Sequence, residues 1–244
     1  MAIFSEVKYI FFDLDDTVLA SRKALIKGIK RAVGVMAPKI GISEEEAYNV
    51  FIRDVLPYVS AIIRHEPFDA FAYQLGINNE SIIEEGFNLF QEEMDNIKPY
   101  DDVIPVLYIL KDEGYIMGVI SNGFPRTQFR KIWRAGLAHF FEERVYLPQS
   151  ISPPYYKPTK HLFTYALNSA GAEPPISLMV GDRDLDIIGA NLAGMHTCAL
   201  IREDNTHFKD DESFKPSKPD ARIKNLWELL PLLDIERESN SYED

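Results

Sequence analysis

The stretch Lys8-Tyr9-Ile10-Phe11-Phe12 runs straight into Asp13-Leu14-Asp15-Asp16-Thr17. Its first half is a short apolar run rich in β-favouring residues and without polar alternation, the pattern of a strand covered on both faces. Its second half breaks that run with three carboxylates and a hydroxyl. Parallel α/β sheets place their chemistry at the C-terminal ends of buried strands. The stretch therefore predicts a parallel α/β sheet with a polar site opening at Asp13.

From about Ser21 to Ile97 the apolar spacing is helical and strand signals are few. Ser43-Glu44-Glu45-Glu46 reads as a capping box, with Ile42 placed to staple onto the next turn. The helix it opens carries Val50, Phe51, Val55 and Leu56 and should kink or break at Pro57. Pro67 to Leu75 reads as a helix closed by Gly76, and Ser81 to Asp95 as another with Ile83, Phe87, Phe90 and Met94 on one face. Beyond Lys98-Pro99-Tyr100, helix and strand alternate. Asp101 or Asp102 caps a helix ended by Gly114. Strands are expected at Tyr115 to Ile120, Arg144 to Leu147, Ser177 to Val180, Thr197 to Ile201 and Ala221 to Ile223. The intervening helices stop at Gly136, Gly171 and Gly194, and a last helix spans Leu226 to Leu233. Alternation of this kind implies a doubly wound, mostly parallel, Rossmann-like α/β sheet. The expected domains are an α/β core of residues 1–19 and 98–244 and an inserted helical domain of residues 20–97.

The 244 residues suffice for one large domain or for one domain with an insertion. The 26 basic and 38 acidic side chains give a net charge of −12. That balance repels nucleic acid and anionic membranes where no basic run overrides it, and none is present. No apolar run approaches the ~20 residues that span a bilayer, and the N-terminus lacks the features of a signal peptide. The single cysteine, Cys198, forms no intrachain disulfide and suits a reducing compartment. The expectation is a cytoplasmic protein with neither nucleic-acid nor membrane partners; the oligomeric state is not legible.

Three of the expected strands end in polar residues, and Lys157 lies on a loop before a helix. Strand ends in a doubly wound sheet converge on one crevice. The crevice would hold Asp13, Asp15, Thr17, Ser121, Asn122, Lys157, Asp182 and Asp186. Carboxylates so crowded do not all stay ionised without compensation, which a lysine and a divalent cation supply. Oxygen-only ligands favour Mg2+ over zinc.

The motifs together resemble a family. Asp13-Leu14-Asp15-Asp16-Thr17, Ser121-Asn122-Gly123, Lys157-Pro158 and Gly181-Asp182-Arg183-Asp184-Leu185-Asp186 are similar, in order, to the four motifs of the haloacid dehalogenase superfamily. Weaker echoes are Gln128, Lys131 and Gly136 after the second motif, and Gly189, Ala190, Gly194 and Met195 after the fourth. The helical block resembles the helical cap of the superfamily's first subgroup. The resemblance implies that Asp13 attacks phosphorus to give an aspartyl-phosphate, and that Asp15 serves as general acid and then base. It implies that Thr17, Ser121, Asn122 and Lys157 hold the phosphoryl group, and that Lys157 neutralises Asp13. It implies a Mg2+ site of Asp13, the Asp15 carbonyl, Asp182 and Asp186, the last through water or by orienting Lys157.

Each piece alone has an ordinary structural reading. Asp13 to Thr17 is also a strand-end cap, Ser121-Asn122-Gly123 a turn, and Lys157 a surface lysine with Lys160 as its nearest competitor. Asp184 competes with Asp186 for the outer carboxylate, and Asp16 reads as structural. Arg64 and His65 close an expected helix, where cations favour the helix dipole, and Arg53 lies in the same block. Phe124 and Arg126 either line the cleft or open the next helix. His161 reads as helix surface and Cys198 as core filler.

The leading function is Mg-dependent hydrolysis of a small phosphorylated metabolite such as a sugar phosphate, phosphoglycolate or a nucleotide. The alternatives are a phosphomutase, a 2-haloacid dehalogenase-type hydrolase and a non-catalytic phospholigand-binding protein. Asp15 disfavours the dehalogenase, which needs no acid there. The chemical competence of every motif disfavours the binding protein.

Overall fold

The computed structural model describes residues 2–39, 41–56, 66–203 and 218–236. In chain order the first elements are β1 (Tyr9–Phe12), α1 (Ser21–Met36), α2 (Glu44–Val50), α3 (Glu66–Gln74) and α4 (Glu80–Asp95). Next come α5 (Val103–Asp112), β2 (Ile116–Ile120), α6 (Pro125–Arg134), α7 (Ala138–Phe141) and β3 (Val145–Tyr146). The last are α8 (Lys160–Ala170), β4 (Ser177–Gly181), α9 (Asp184–Ala193), β5 (His196–Leu200), β6 (Ala221–Ile223) and α10 (Leu229–Leu232). The chain divides into two compact units, one of Met1–Leu19 with Pro99–Asp244 and one of Ala20–Lys98.

The first unit is a six-stranded sheet in the order β3-β2-β1-β4-β5-β6, with every pairing parallel. Ile10, Phe11 and Phe12 of the central strand are almost fully buried, as its unbroken apolar run requires. Phe11 packs with Ile120, Phe163, Ala166, Met179 and Ala190 in one core cluster. Full burial of each of the large side chains among them contributes about 1.5–3 kcal/mol. Helix ends follow the glycines: Gly136, Gly171 and Gly194 have φ of 72°, 66° and 80°, a conformation that side chains resist.

The second unit is helical among its described residues. α1 packs along α4, and its buried face of Ile29, Ala32, Val33 and Met36 joins Phe51, Phe68, Phe71 and Phe90 in a separate core. Ser43 caps α2 by accepting from the Glu46 amide at 3.1 Å, and a π-helical turn, Phe51–Val55, continues that helix. Pro57, Arg64 and His65 lie outside the described residues.

Some local expectations change. The last expected helix begins as a 3-10 turn, Leu226–Glu228, before α10. The short helix α7 was not anticipated; one turn offers too few residues for a period to show. Asp102 occupies the N-cap of α5, but its carboxylate caps nothing there. It pairs instead with Arg202 at 3.1 Å and accepts from the Leu226 amide at 2.6 Å. No described helix is long and apolar enough to cross a membrane.

Candidate active site

The sheet register brings the motifs together. Phe12 lies level with Val119 of β2 and Val180 of β4, so the residues that follow leave the sheet side by side. The Asp13 amide donates to the Val180 carbonyl at 2.9 Å, one more rung of the ladder. β1 and β4 meet where the chain crosses from one half of the sheet to the other, the place where such folds open a crevice. Behind Asp13 the backbone turns sharply, with Asp16 at φ 63° and its amide bonded to the Leu19 carbonyl at 2.8 Å. Asp16 is thus a turn residue.

Lys157 is buried, and its ammonium is fully engaged. It donates to Asp13 Oδ1, to Asp186 Oδ1 at 2.6 Å and to the Ile120 carbonyl at 2.8 Å. Three acceptors exhaust its three protons. Lys160 is exposed on the first turn of α8, whereas Lys157 is the one of the two that contacts Asp13 and Asp186. Oxygens of Asp13, Asp182 and Asp186 lie within 4.8 Å of one another, all buried. Asp186, rather than Asp184, completes this group. Its other oxygen accepts from the Arg183 amide at 3.2 Å, and a Cβ on Gly181 would sit 2.5 Å from its carboxylate. Glycine at the end of β4 is what lets Asp186 reach inward.

The electrostatics record an excess of negative charge. Burial pushes the Asp13 carboxyl up to about 7; Lys157 pulls it down, while Asp186 and Asp15 add to the rise. Burial, then Asp13 and Asp186, push Asp182 up to about 8. Burial works to lower the Lys157 ammonium, but Asp13 and Asp186 outweigh it and hold it above the ordinary lysine range. One lysine does not neutralise three carboxylates. A compact, all-oxygen, buried cluster short of positive charge fits a hard divalent cation.

The remaining residues divide between contact and support. Thr17, expected to face the phosphoryl group, is fully buried and donates instead to Asp182 Oδ1 at 3.2 Å. Its carbonyl is gripped by the Arg202 guanidinium at 2.8 and 3.2 Å, so the loop turns the hydroxyl toward the acidic cluster. Asn122 bonds the Lys157 backbone twice, accepting from its amide at 2.7 Å and donating to its carbonyl at 3.1 Å. Its side chain therefore fixes the lysine loop. Ser121 Oγ accepts from the Gly123 amide at 3.3 Å and from Gln128 at 2.7 Å. Asp15 accepts from Lys131 at 2.5 Å and Gln128 at 2.9 Å. Phe124 is the N-cap residue of α6 and Arg126 lies in its first turn. His161 is exposed and stacks on Tyr155, and Cys198 is buried in β5. Arg202 carried no signal in sequence and Asp102 only that of a helix cap, because the partners seen here lie 185 and 124 residues away along the chain.

A site of this construction has relatives. The haloacid dehalogenase-like hydrolase family matches residues 10–200. The chain belongs to that family. A glyceraldehyde 3-phosphate phosphatase of Methanopyrus kandleri is 33% identical over 95% of this chain and 98% of its own. Pyrophosphatase PpaX of Bacillus cereus is 25% identical over 93% of this chain and 97% of its own. Among solved structures, a HAD phosphatase from Thermococcus onnurineus superposes with a TM-score of 0.65 at 26% identity, covering 95% of this chain and 100% of that one. The haloacid dehalogenase-like chain described here is thus a phosphatase by its relatives.

Proposed function

We propose that this chain hydrolyses a small phosphorylated metabolite, with Mg2+, through an aspartyl-phosphate on Asp13. The observation that carries the reading is the buried Asp13 carboxylate at the end of β1, paired with Lys157 and grouped with Asp182 and Asp186.

An Asp13 oxygen bonds to phosphorus as the ester P–O bond breaks, and Asp15 gives its proton to the departing oxygen. Water then attacks phosphorus, loses its proton to Asp15, and returns Asp13 as a carboxylate. Asp13 must be ionised to attack, and burial opposes that. Lys157 supplies part of the compensating charge. Asp13, the Asp15 carbonyl and Asp182 would hold Mg2+, with Asp186 reaching it through water while it orients Lys157. When bound, the cation screens the repulsion between Asp13 and the phosphoryl group and completes the charge balance. Ser121 donates to a phosphoryl oxygen. Lys157 reaches that group only by exchanging one of its three present acceptors. Thr17 and Asn122 serve by holding Asp182 and Lys157.

The relatives' names support a three-carbon sugar phosphate, glyceraldehyde 3-phosphate, as the first substrate to assay, with pyrophosphate second. We assign substrate selection to the helical unit, in the manner of a cap. The single cysteine supports a cytoplasmic setting.

The test is phosphate release from a panel of these compounds, other phosphorylated metabolites and p-nitrophenyl phosphate, with Mg2+ and with EDTA, alongside Asp13→Asn. Release that needs Mg2+ and disappears in the variant is the expected outcome. A folded protein that releases phosphate from no ester would overturn the reading.

A further inference from the structure

We propose that Lys131 and Gln128, on successive turns of α6, are positioning residues: together they fix the Asp15 carboxylate for proton transfer, and Gln128 reserves the Ser121 hydroxyl proton for the phosphoryl group. The inference rests on the function proposed above and adds two residues to it.

Each Asp15 oxygen has its own donor: Lys131 Nζ lies 2.5 Å from Oδ1 and Gln128 Nε2 lies 2.9 Å from Oδ2. Two donors on two oxygens fix both the rotation and the tilt of a carboxylate, which one contact does not. A carboxylate oxygen has two lone pairs, so a hydrogen bond to it does not by itself bar proton transfer. The Asp15 side chain is 35% exposed, whereas that of Lys131 is 12% exposed, so of the two it is the acid that reaches solvent.

Gln128 is 1% exposed, and its amide orientation is dictated by its partners. A carboxylate only accepts, so the nitrogen faces Asp15. The second amide proton goes to Ser121 Oγ at 2.7 Å, and the Gly123 amide also donates to that oxygen at 3.3 Å. With its lone pairs occupied, Ser121 has its own O–H proton left to give. One side chain thereby sets the acid and a phosphoryl donor in a single arrangement. The loop is shaped for it: a Cβ on Gly123 would lie 2.2 Å from Gln128 Nε2. Helical spacing of three residues places Gln128 and Lys131 on the same face.

The leaving group separates positioning from mere structural support. p-Nitrophenolate departs without a proton, whereas an alkoxide needs one as its P–O bond breaks, and Asp15 supplies it. General-acid catalysis is worth roughly 10²–10⁴-fold. For Lys131→Met we expect kcat/KM on glyceraldehyde 3-phosphate, or whichever alkyl monoester leads the panel, to fall about 10–100-fold. KM should change little, and kcat/KM on p-nitrophenyl phosphate, which does not include the later base step of Asp15, should fall less than about threefold. Lys131→Arg, which keeps the cation, should recover much of the loss. Gln128→Met should lower both substrates, the alkyl ester more, because the Ser121 donor serves both. Melting temperatures of all variants exclude misfolding as the cause.

Equal losses on both esters in Lys131→Met, or no loss on either, would overturn the proposal while leaving the phosphatase reading intact. Wild-type protein inactive on every ester would sink both. If either variant fails to fold, Lys131→Gln and Gln128→Leu decide by the same comparison of the two esters.

Discussion

Asp13 carries a carboxyl that burial pushes up to about 7, against an ammonium that restrains the rise. Removing that ammonium takes from the cluster the lysine that pairs with Asp13 and Asp186. Lys157→Met should lower kcat/KM by roughly 10²–10³-fold, the scale for loss of one preorganised electrostatic group. Measurement at saturating Mg2+ separates this from weakened metal binding. Cys198 gives a contrasting expectation: burial in β5, then the charges of Glu228 and Asp220, push its thiol up to about 12. It should resist a thiol reagent at neutral pH in the native protein and react in guanidinium, since the thiolate is the reactive form. At this scale the sequence named the groups that bear charge, because chemistry restricts their type: Asp13, Lys157, Asp182 and Asp186 meet at one place, and Asp15 is near enough to act on Asp13. For hydroxyl and amide side chains the partner in the folded chain is set by geometry. Thr17 looked like a phosphate donor but turns toward Asp182, and Asn122 turns toward the Lys157 backbone. A hydroxyl or an amide suits either role, and only the path of the loop decides between them.

At the scale of elements, the strands position the site and the glycines permit its packing. A Cβ on Gly189 of α9 would lie 2.0 Å from Phe163 Cε2 of α8. Gly189→Ala should therefore destabilise by about 1–3 kcal/mol, as overpacking does. Thermal melting should show a loss of roughly 2–4 °C per kcal/mol in a chain of this length. An unchanged melting temperature would contradict the close α8–α9 approach. Strands and long helices were legible because burial imposes a period of two or a continuous apolar run on one, and a period near 3.6 on the other. The single turn of α7 was not, and neither was the fate of the Asp102 carboxylate. A caps-and-periods reading scores local fit, whereas Arg202 and the Leu226 amide outcompete the α5 terminus for Asp102 through tertiary contact.

Across the whole molecule, the acidic cluster links stability to pH and to cation. Asp13 and Asp182 rise from 3.8 to about 7 and about 8 in the folded protein without metal. The folded state then holds protons that the unfolded chain has released. Stability from these groups is full below the unfolded value and is lost as pH rises through the folded ones. In EDTA, the melting temperature should fall from about pH 4 to about pH 8 and level off above, and Asp182→Asn should flatten the slope. Mg2+ should raise the melting temperature most at the alkaline end, where the carboxylates are ionised and ready to bind it. An equal effect of Mg2+ at both ends would contradict the linkage. The central claim is that phosphate passes through Asp13, and the most direct measurement is chemical trapping. Protein turning over an active ester with Mg2+ would be quenched, reduced with borohydride and mapped by mass spectrometry. The account predicts that residue 13 is converted to homoserine, the product of reducing an aspartyl-phosphate, only when substrate and Mg2+ are both present. Trapping at any other residue, or turnover that persists in Asp13→Asn, would contradict it.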